Sequence, residues 1–166
     1  MSTSPPVALV TGSTGGIGAC VADALSARGY RLVLMDLDPA RLAQQAERHP
    51  GARVETLDLS RQDAVLDWAR ALQADDAAPI DVAFVNAGLI AVGDMVELPI
   101  EQLLLQLQVN LVSTAVMLQA LARRMAAAGR GHLIATVSMG GIVSLKGSAA
   151  YSASKFGLRG LLWGLR

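Results

Sequence analysis

The 166-residue chain has one cysteine and two histidines. A single cysteine excludes an internal disulfide, and Cys20 is expected to be a small buried side chain near the start of a helix. His49 and His132 have no ligand-spaced companions, so no metal is expected. Charge of one sign is missing as well: 14 basic and 14 acidic residues sum to zero, which argues against a nucleic-acid or membrane surface as partner. Long apolar runs are absent, because Gln106, Gln108 and Asn110 interrupt the greasiest stretch, so no segment is expected to cross a bilayer. The start, Met1 to Pro6, is polar and has neither the charged head nor the apolar core of a secretory leader. These absences predict a soluble cytoplasmic protein, and the length predicts a single domain, residues 1–166, able to bury a sizeable core.

Glycine, in contrast, is concentrated where it does chemical work. Val7 to Gly18 reads as a short apolar strand, a glycine cluster, and the start of a helix running from Ile17 to Arg28. Gly12 suits backbone angles denied to other residues, Gly16 lets the main chain approach a pyrophosphate, and Gly18 lets helix and strand pack closely. Phosphate would meet the unpaired amides and positive dipole of the helix start. Asp36, 20 residues beyond Gly16 at the end of the next apolar run, is placed to accept both ribose hydroxyls of an adenosine and to repel a 2′-phosphate. Asp38 and Pro39 suit the N-cap and first turn of the following helix, which leaves Asp36 free.

Strands and helices alternate along the rest of the chain. Helices are expected at Pro39–Arg48, Gln62–Gln73, about Ile100 to Ala127, and from about Ala149 onward; strands at Arg31–Asp36, Arg53–Leu57, Ile80–Val85 and Leu133–Val137. Ile80 to Val85 is nearly free of polar residues, as strands buried on both faces are. The class is α/β, a doubly wound parallel sheet of order 3-2-1-4-5. Asp58-Leu59 and Asn86-Ala87-Gly88 then fall at carboxyl ends of strands, beside the glycine turn, where ligands bind in such sheets. Asp58 suits either an adenine amino group or local helix capping. Leu89 to Glu97 is expected to form one wall of the pocket.

Chemistry gathers in the last third. Tyr151 and Lys155 are four apart on a helix and share a face; an ammonium beside a phenol stabilises its phenolate. Ser138, at a strand end, is placed to donate to a developing alkoxide or carbonyl oxygen. Asn110, a weak helix former inside an apolar segment, suggests a hydrogen-bonding task, such as an ordered water linked to Lys155.

In these motifs the chain resembles the short-chain dehydrogenase/reductase family. Thr11-Gly-Ser-Thr-Gly-Gly-Ile-Gly18 is similar to that family's cofactor turn, Asn86-Ala-Gly88 to its sheet-stabilising turn, and Asn110, Ser138, Tyr151 and Lys155 to its catalytic tetrad. The resemblance implies a Rossmann-like fold and hydride transfer between a nicotinamide cofactor and an alcohol or carbonyl. Tyr151 would be the general acid or base, Ser138 would position the substrate oxygen, Lys155 would tune the tyrosine and hold the nicotinamide ribose, and Asn110 would complete a proton relay. Gly12, Ser13, Gly16, Ile17, Gly18, Asp36, Asp58, Leu59, Asn86, Ala87 and Gly88 would line the cofactor with Tyr151 and Lys155. NAD is expected over NADP, because of Asp36 and because Ser13, Thr14 and Leu37 are not basic. A homo-oligomer is expected through the long helix, apolar on several faces, and the last helix. Family members continue beyond this helix with a further strand and a substrate loop, so the alternative is a shortened relative that folds, or binds dinucleotide, without turnover. The fifth strand would then be an apolar edge without charge, proline or bulge to blunt it.

Overall fold

The strand that enters the glycine turn, β1 (Val7–Thr11), is buried at all five positions, as a strand paired on both sides and covered on both faces must be. In the computed structural model, which describes residues 4–74 and 79–165, it pairs in parallel with β2 (Arg31–Asp36) on one side and β4 (Val82–Val85) on the other. β3 (Arg53–Thr56) and β5 (His132–Ala135) complete a five-stranded sheet of order β3-β2-β1-β4-β5. One face carries Ala8, Val10, Leu32 and Leu34 under α1 (Gly16–Ala27) and α2 (Pro39–Arg48). The other carries Leu9, Met35, Ala83 and Val85 under α3 (Gln62–Ala74), α5 (Thr114–Ala128) and α6 (Ala149–Gly164). The expected fold class and strand order hold. Residues 1–3 of the polar start and the final Arg166 lie outside the described residues.

Several local expectations are corrected. Ile80 is buried but precedes β4, where Asp81 turns its carboxylate back to accept from the Val7 amide at 2.8 Å. β4 alternates half-buried and buried residues rather than hiding both faces. β5 starts at His132 and stops before Val137, because Ser138 leaves the sheet to cap the 3₁₀ turn Met139–Gly141. It is the edge, and Ile134 on it is 48% exposed. Cys20 is exposed, not buried: α1 presents Gly18 and Ala22 to the sheet and Cys20 points elsewhere. Asp38 does cap α2, accepting from Ala40 N and Arg41 N, with Pro39 in the first turn.

The long helix differs most. α4 (Ile100–Leu107) passes into a π-helical segment, Gln108–Ser113, before α5 continues. Thr114 Oγ1 donates back into the segment, to Val109 O at 3.0 Å, and Ser113 Oγ donates to Leu59 O at 2.6 Å, tying the segment to the loop before α3. The continuous path Ile100–Ala128 is long and apolar enough, by length and composition, to cross a membrane, contrary to the expectation from its broken runs. Its packing against α3, α6 and the sheet accounts for much of that character, while Leu104 and Val112 stay exposed.

Candidate active site

A glycine turn that holds phosphate needs close approach and unpaired amides, and the first turn of α1 offers both. Gly12 has φ of 62°. A Cβ on Gly18 would stand 2.0 Å from Gly12 O, so this position admits nothing larger than glycine. A Cβ on Gly16 would meet nothing within 4 Å: no protein atom explains that glycine, and the space above it is open. α1 has no side-chain cap and no acidic residue in its first turn, leaving its dipole and amides unanswered. A dinucleotide pyrophosphate fits this turn. Ile17 is 60% exposed beside it, whereas Ser13, expected at the cofactor, is fully buried, with its amide donating to Met35 O at 3.2 Å and its hydroxyl unpartnered.

From the turn, a cleft of about 490 Å³ opens across the carboxyl ends of β1, β2 and β4. Gly12, Asp36, Asp58, Leu59, Asn86, Ala87, Gly88 and Leu89 are among its walls. Asp36 is not the free acceptor expected. Its Oδ2 accepts from Thr14 N at 2.9 Å and Thr14 Oγ1 at 2.8 Å, and its Oδ1 from Leu37 N at 2.7 Å. A carboxylate has about four lone-pair sites, so room remains for one ribose hydroxyl rather than two. Asp58 Oδ1 is likewise occupied by Ser60 N and Ser60 Oγ, a local turn two residues short of α3 rather than a cap on its amides.

The proton-transfer candidates stand farther along, and hydrogen bonds join them to the glycine turn. Thr11 Oγ1 accepts from Asn86 N at 2.9 Å and Ala87 N at 3.0 Å. Thr136 Oγ1 donates to Asn86 Oδ1 at 2.8 Å, and Lys155 Nζ donates to Thr136 O at 2.9 Å. One path therefore crosses β1, β4 and β5 to reach α6. Lys155 is buried, and loss of water pushes its ammonium below the usual lysine range. Its Nζ lies 5.8 Å from the centre of the Tyr151 ring. Gly140 brings the third group in: a Cβ there would be 3.1 Å from Tyr151 Cε1 and 3.6 Å from Ser138 Oγ. Ser138 Oγ accepts from Gly140 N, which leaves its hydroxyl hydrogen to donate outward.

Asn110 is wholly buried in the π-helical segment, and its amide is committed to protein. Oδ1 accepts from Leu89 N at 2.9 Å, while Nδ2 donates to Leu89 O at 2.8 Å and Ser154 Oγ at 3.2 Å. These bonds make the amide a clamp between the loop after β4 and α6. Gly88 lies between Asn110 and Lys155: a Cβ would be 3.0 Å from Asn110 Oδ1 and 3.6 Å from Lys155 Nζ.

Three participants escape a motif reading. Thr136 looks like an ordinary strand-end hydroxyl, and Ser154 is hidden between Tyr151 and Lys155. Arg41 lines the cleft beside Asp36 and donates to Thr14 O at 2.6 Å; its place in the first turn of α2, five residues after Asp36, was the available signal. Among the described residues no His/Cys/Asp/Glu cluster suited to a metal is present.

Residues 6–166 match the short chain dehydrogenase family. D-threitol dehydrogenase of Mycolicibacterium smegmatis is 33% identical over 162 residues, covering 93% of this chain and 61% of that protein. NAD⁺-bound xylitol dehydrogenase superposes with a TM-score of 0.84 at 28% identity, covering 94% of this chain and 62% of that one. A gluconate 5-dehydrogenase from Beutenbergia cavernae, described as putative and NAD(P)-dependent and holding NADP at low occupancy, superposes with a TM-score of 0.88 at 27% identity, over 99% and 66%. The chain thus spans about three fifths of the length of the first two of these relatives.

Proposed function

The chain belongs to the short-chain dehydrogenase family, and from that premise we propose that it supplies the cofactor-binding and proton-transfer parts of an NAD(H)-preferring oxidoreductase acting on an alcohol or carbonyl. When bound, the nicotinamide cofactor supplies the hydride donor or acceptor. Everything else is asked of the chain. Gly12, Gly16, Ile17 and Gly18 would take the pyrophosphate, and Asp36 would accept one ribose hydroxyl and oppose a 2′-phosphate. Lys155, held by Thr136 O, would favour the phenolate of Tyr151 and reach the second ribose. Tyr151 Oη would give or take the proton at the substrate oxygen, and Ser138 Oγ would donate to that oxygen as charge develops on it. Asn110 would hold the loop after β4 and α6 in register. The observation that carries this reading is the single hydrogen-bonded path from Thr11 to Lys155, which fixes the cofactor turn and the tyrosine helix relative to each other.

Turnover of a test secondary alcohol with NAD⁺, alongside NAD⁺ titration, tests it in wild type and Tyr151→Phe. The variant should lose roughly 10²- to 10⁴-fold in turnover while NAD⁺ affinity changes little, since only the proton-transfer hydroxyl is removed. Substantial residual oxidation by the variant would show that another group moves the proton.

A second reading is favoured by the open flank of β5, where Val137, Ser138, Met139, Ile142, Leu162 and Trp163 line a shallow groove and Met139 is 69% exposed. On this reading residues 1–166 bind dinucleotide, turn over little, and associate through this flank and the long helix. Light scattering with the turnover assay separates the two: a monodisperse, fully active monomer would refute the second.

A further inference from the structure

The loop that leaves β4 is held at two backbone positions by buried amide side chains. Asn110 accepts from Leu89 N and donates to Leu89 O, and the wholly buried Gln106 accepts from Ala91 N at 3.0 Å. Ile90, between those fixed points, is 55% exposed, and Val92, next to the second, is 70% exposed. This is not the exposure of a slack loop: the main chain beside each residue is pinned, and two large apolar side chains are kept in water. A second loop meets the first. It starts at Gly140, beside Tyr151 and Ser138, as the first starts at Gly88, beside Lys155. At their far ends the two are joined, since Gly93 N donates to Gly147 O at 2.9 Å and a Cβ on Gly147 would stand 3.4 Å from Val92 Cγ1. Two loops that begin at the proton-transfer side chains and close on each other frame the space a substrate must enter. Their composition is one-sided. Across residues 88–93 and 139–145 no side chain is charged and only Ser144 carries a hydroxyl, while Val143 and Leu145 are exposed as well.

We propose that Ile90 and Val92 are specificity-determining residues that receive the body of the substrate, and that the substrate is a secondary alcohol, or its ketone, with hydrocarbon rather than hydroxylated substituents. This rests on the nicotinamide-cofactor reading above and names the substrate class of the same site. The alcohol gives its carbinol hydrogen as hydride to NAD⁺ and its hydroxyl proton to the Tyr151 phenolate, and leaves as the ketone. Ser138 and Tyr151 serve that one oxygen. A polyol brings further hydroxyls, and a frame whose only other side-chain hydroxyl is Ser144 strips them of water without giving most of them a partner. Hydrocarbon substituents instead cover Ile90 and Val92 and remove apolar surface from water on both sides. The frame thus selects in both directions, by what it attracts and by what it leaves unpaired.

Calorimetric titration of the NAD⁺-saturated full chain with benzylacetone and with erythrulose tests this in wild type and in the double variant Ile90→Thr/Val92→Thr. Benzylacetone facing NAD⁺ finds no hydride, so its heat reports binding alone. Both substituted positions are exposed and the bonds to Leu89 and Ala91 are untouched, so the fold should survive. Wild type should bind benzylacetone at least about tenfold more tightly than erythrulose, and the variant should lose about tenfold for benzylacetone while NAD⁺ affinity stays within about threefold. Equal or tighter binding of erythrulose, or its oxidation, would overturn the proposal. So would unchanged benzylacetone affinity in the variant; a fall in its mass by light scattering would then assign Ile90 and Val92 to contact with a second copy. A wild-type chain that takes up no NAD⁺ refutes the nicotinamide reading and this inference with it, whereas one that takes up NAD⁺ but no benzylacetone refutes the inference alone.

Discussion

The carboxyl end of β1 and that of β5 solve different problems. β1 has a partner on either side and no exposed residue, and its loop is shaped by backbone: glycines at 12 and 18 meet main-chain atoms, and helix amides face open space. β5 has a partner on one side, alternates exposed and half-buried residues, and ends in side-chain chemistry. Ser138, Tyr151 and Lys155 acquire their positions from a capped turn, a helix face and the carbonyl of the first residue past the strand. A site made of backbone tolerates change at most side chains and none at a few glycines. A site made of side chains depends on the hydrogen bonds that aim them.

The contrast is broken most severely at Gly18. Gly18→Ala places a Cβ 2.0 Å from Gly12 O, and the helix or the turn must move; a loss of about 4 kcal/mol or more is expected in urea unfolding, with dinucleotide binding abolished. At the other end, Asn110→Leu keeps the volume and removes three hydrogen bonds, leaving both polar groups of Leu89 without their partner. It should cost roughly 2–4 kcal/mol and lower turnover more than NAD⁺ affinity; equal losses in both would place Asn110 in the cofactor site instead. Gly16→Ala sharpens the comparison in the opposite direction. The added methyl meets no protein atom, so stability should hold or rise by about 0.5–1 kcal/mol, while dinucleotide affinity falls. Unimpaired affinity would mean that the pyrophosphate lies elsewhere.

The smallest effect is one of slope. Burial lowers the Lys155 pKa from 10.5 in the folded chain, so between the folded and the unfolded value the unfolded state binds more protons and stability rises with pH. Below the folded value the cost is present in full; above about 10.5 it is gone. Stability of wild type relative to Lys155→Met should therefore increase as pH climbs through that window, and a flat difference would show that the ammonium is not desolvated.

Much of this was legible from local pattern. Apolar runs located all five strands, the spacing of Gly12, Gly16 and Gly18 marked the turn, and alternation gave the order of the sheet. Asp38 and Pro39 marked the start of α2 because a cap is a contact between near neighbours. Asp36 was misjudged because its three donors come from Thr14, 22 residues away, and from the backbone of Leu37. Asn110 was seen to need a hydrogen-bonding task, but its partners, 21 and 44 residues distant, are set by the fold. Arg41 went unremarked because a helix-surface arginine has the same local signature whether it faces solvent or a cleft. The π-helical segment left no periodic trace, since a six-residue departure inside a long apolar helix barely disturbs the pattern.

That segment has a consequence for chain length. A residue of α-helix turns the chain by about 100°, so the wider turn at Gln108–Ser113 acts as a phase shifter between α4 and α5. Deleting one residue such as Val112, which is exposed and aims at nothing in the site, would let the segment relax to ordinary helix and swing α4 around its axis relative to α5. Asn110 and Gln106 would then turn away from Leu89 and Ala91, the two backbone positions they hold. Here the number of residues between two side chains matters more than the identity of the one removed, and a gap of one would disable what several substitutions at the same position leave intact.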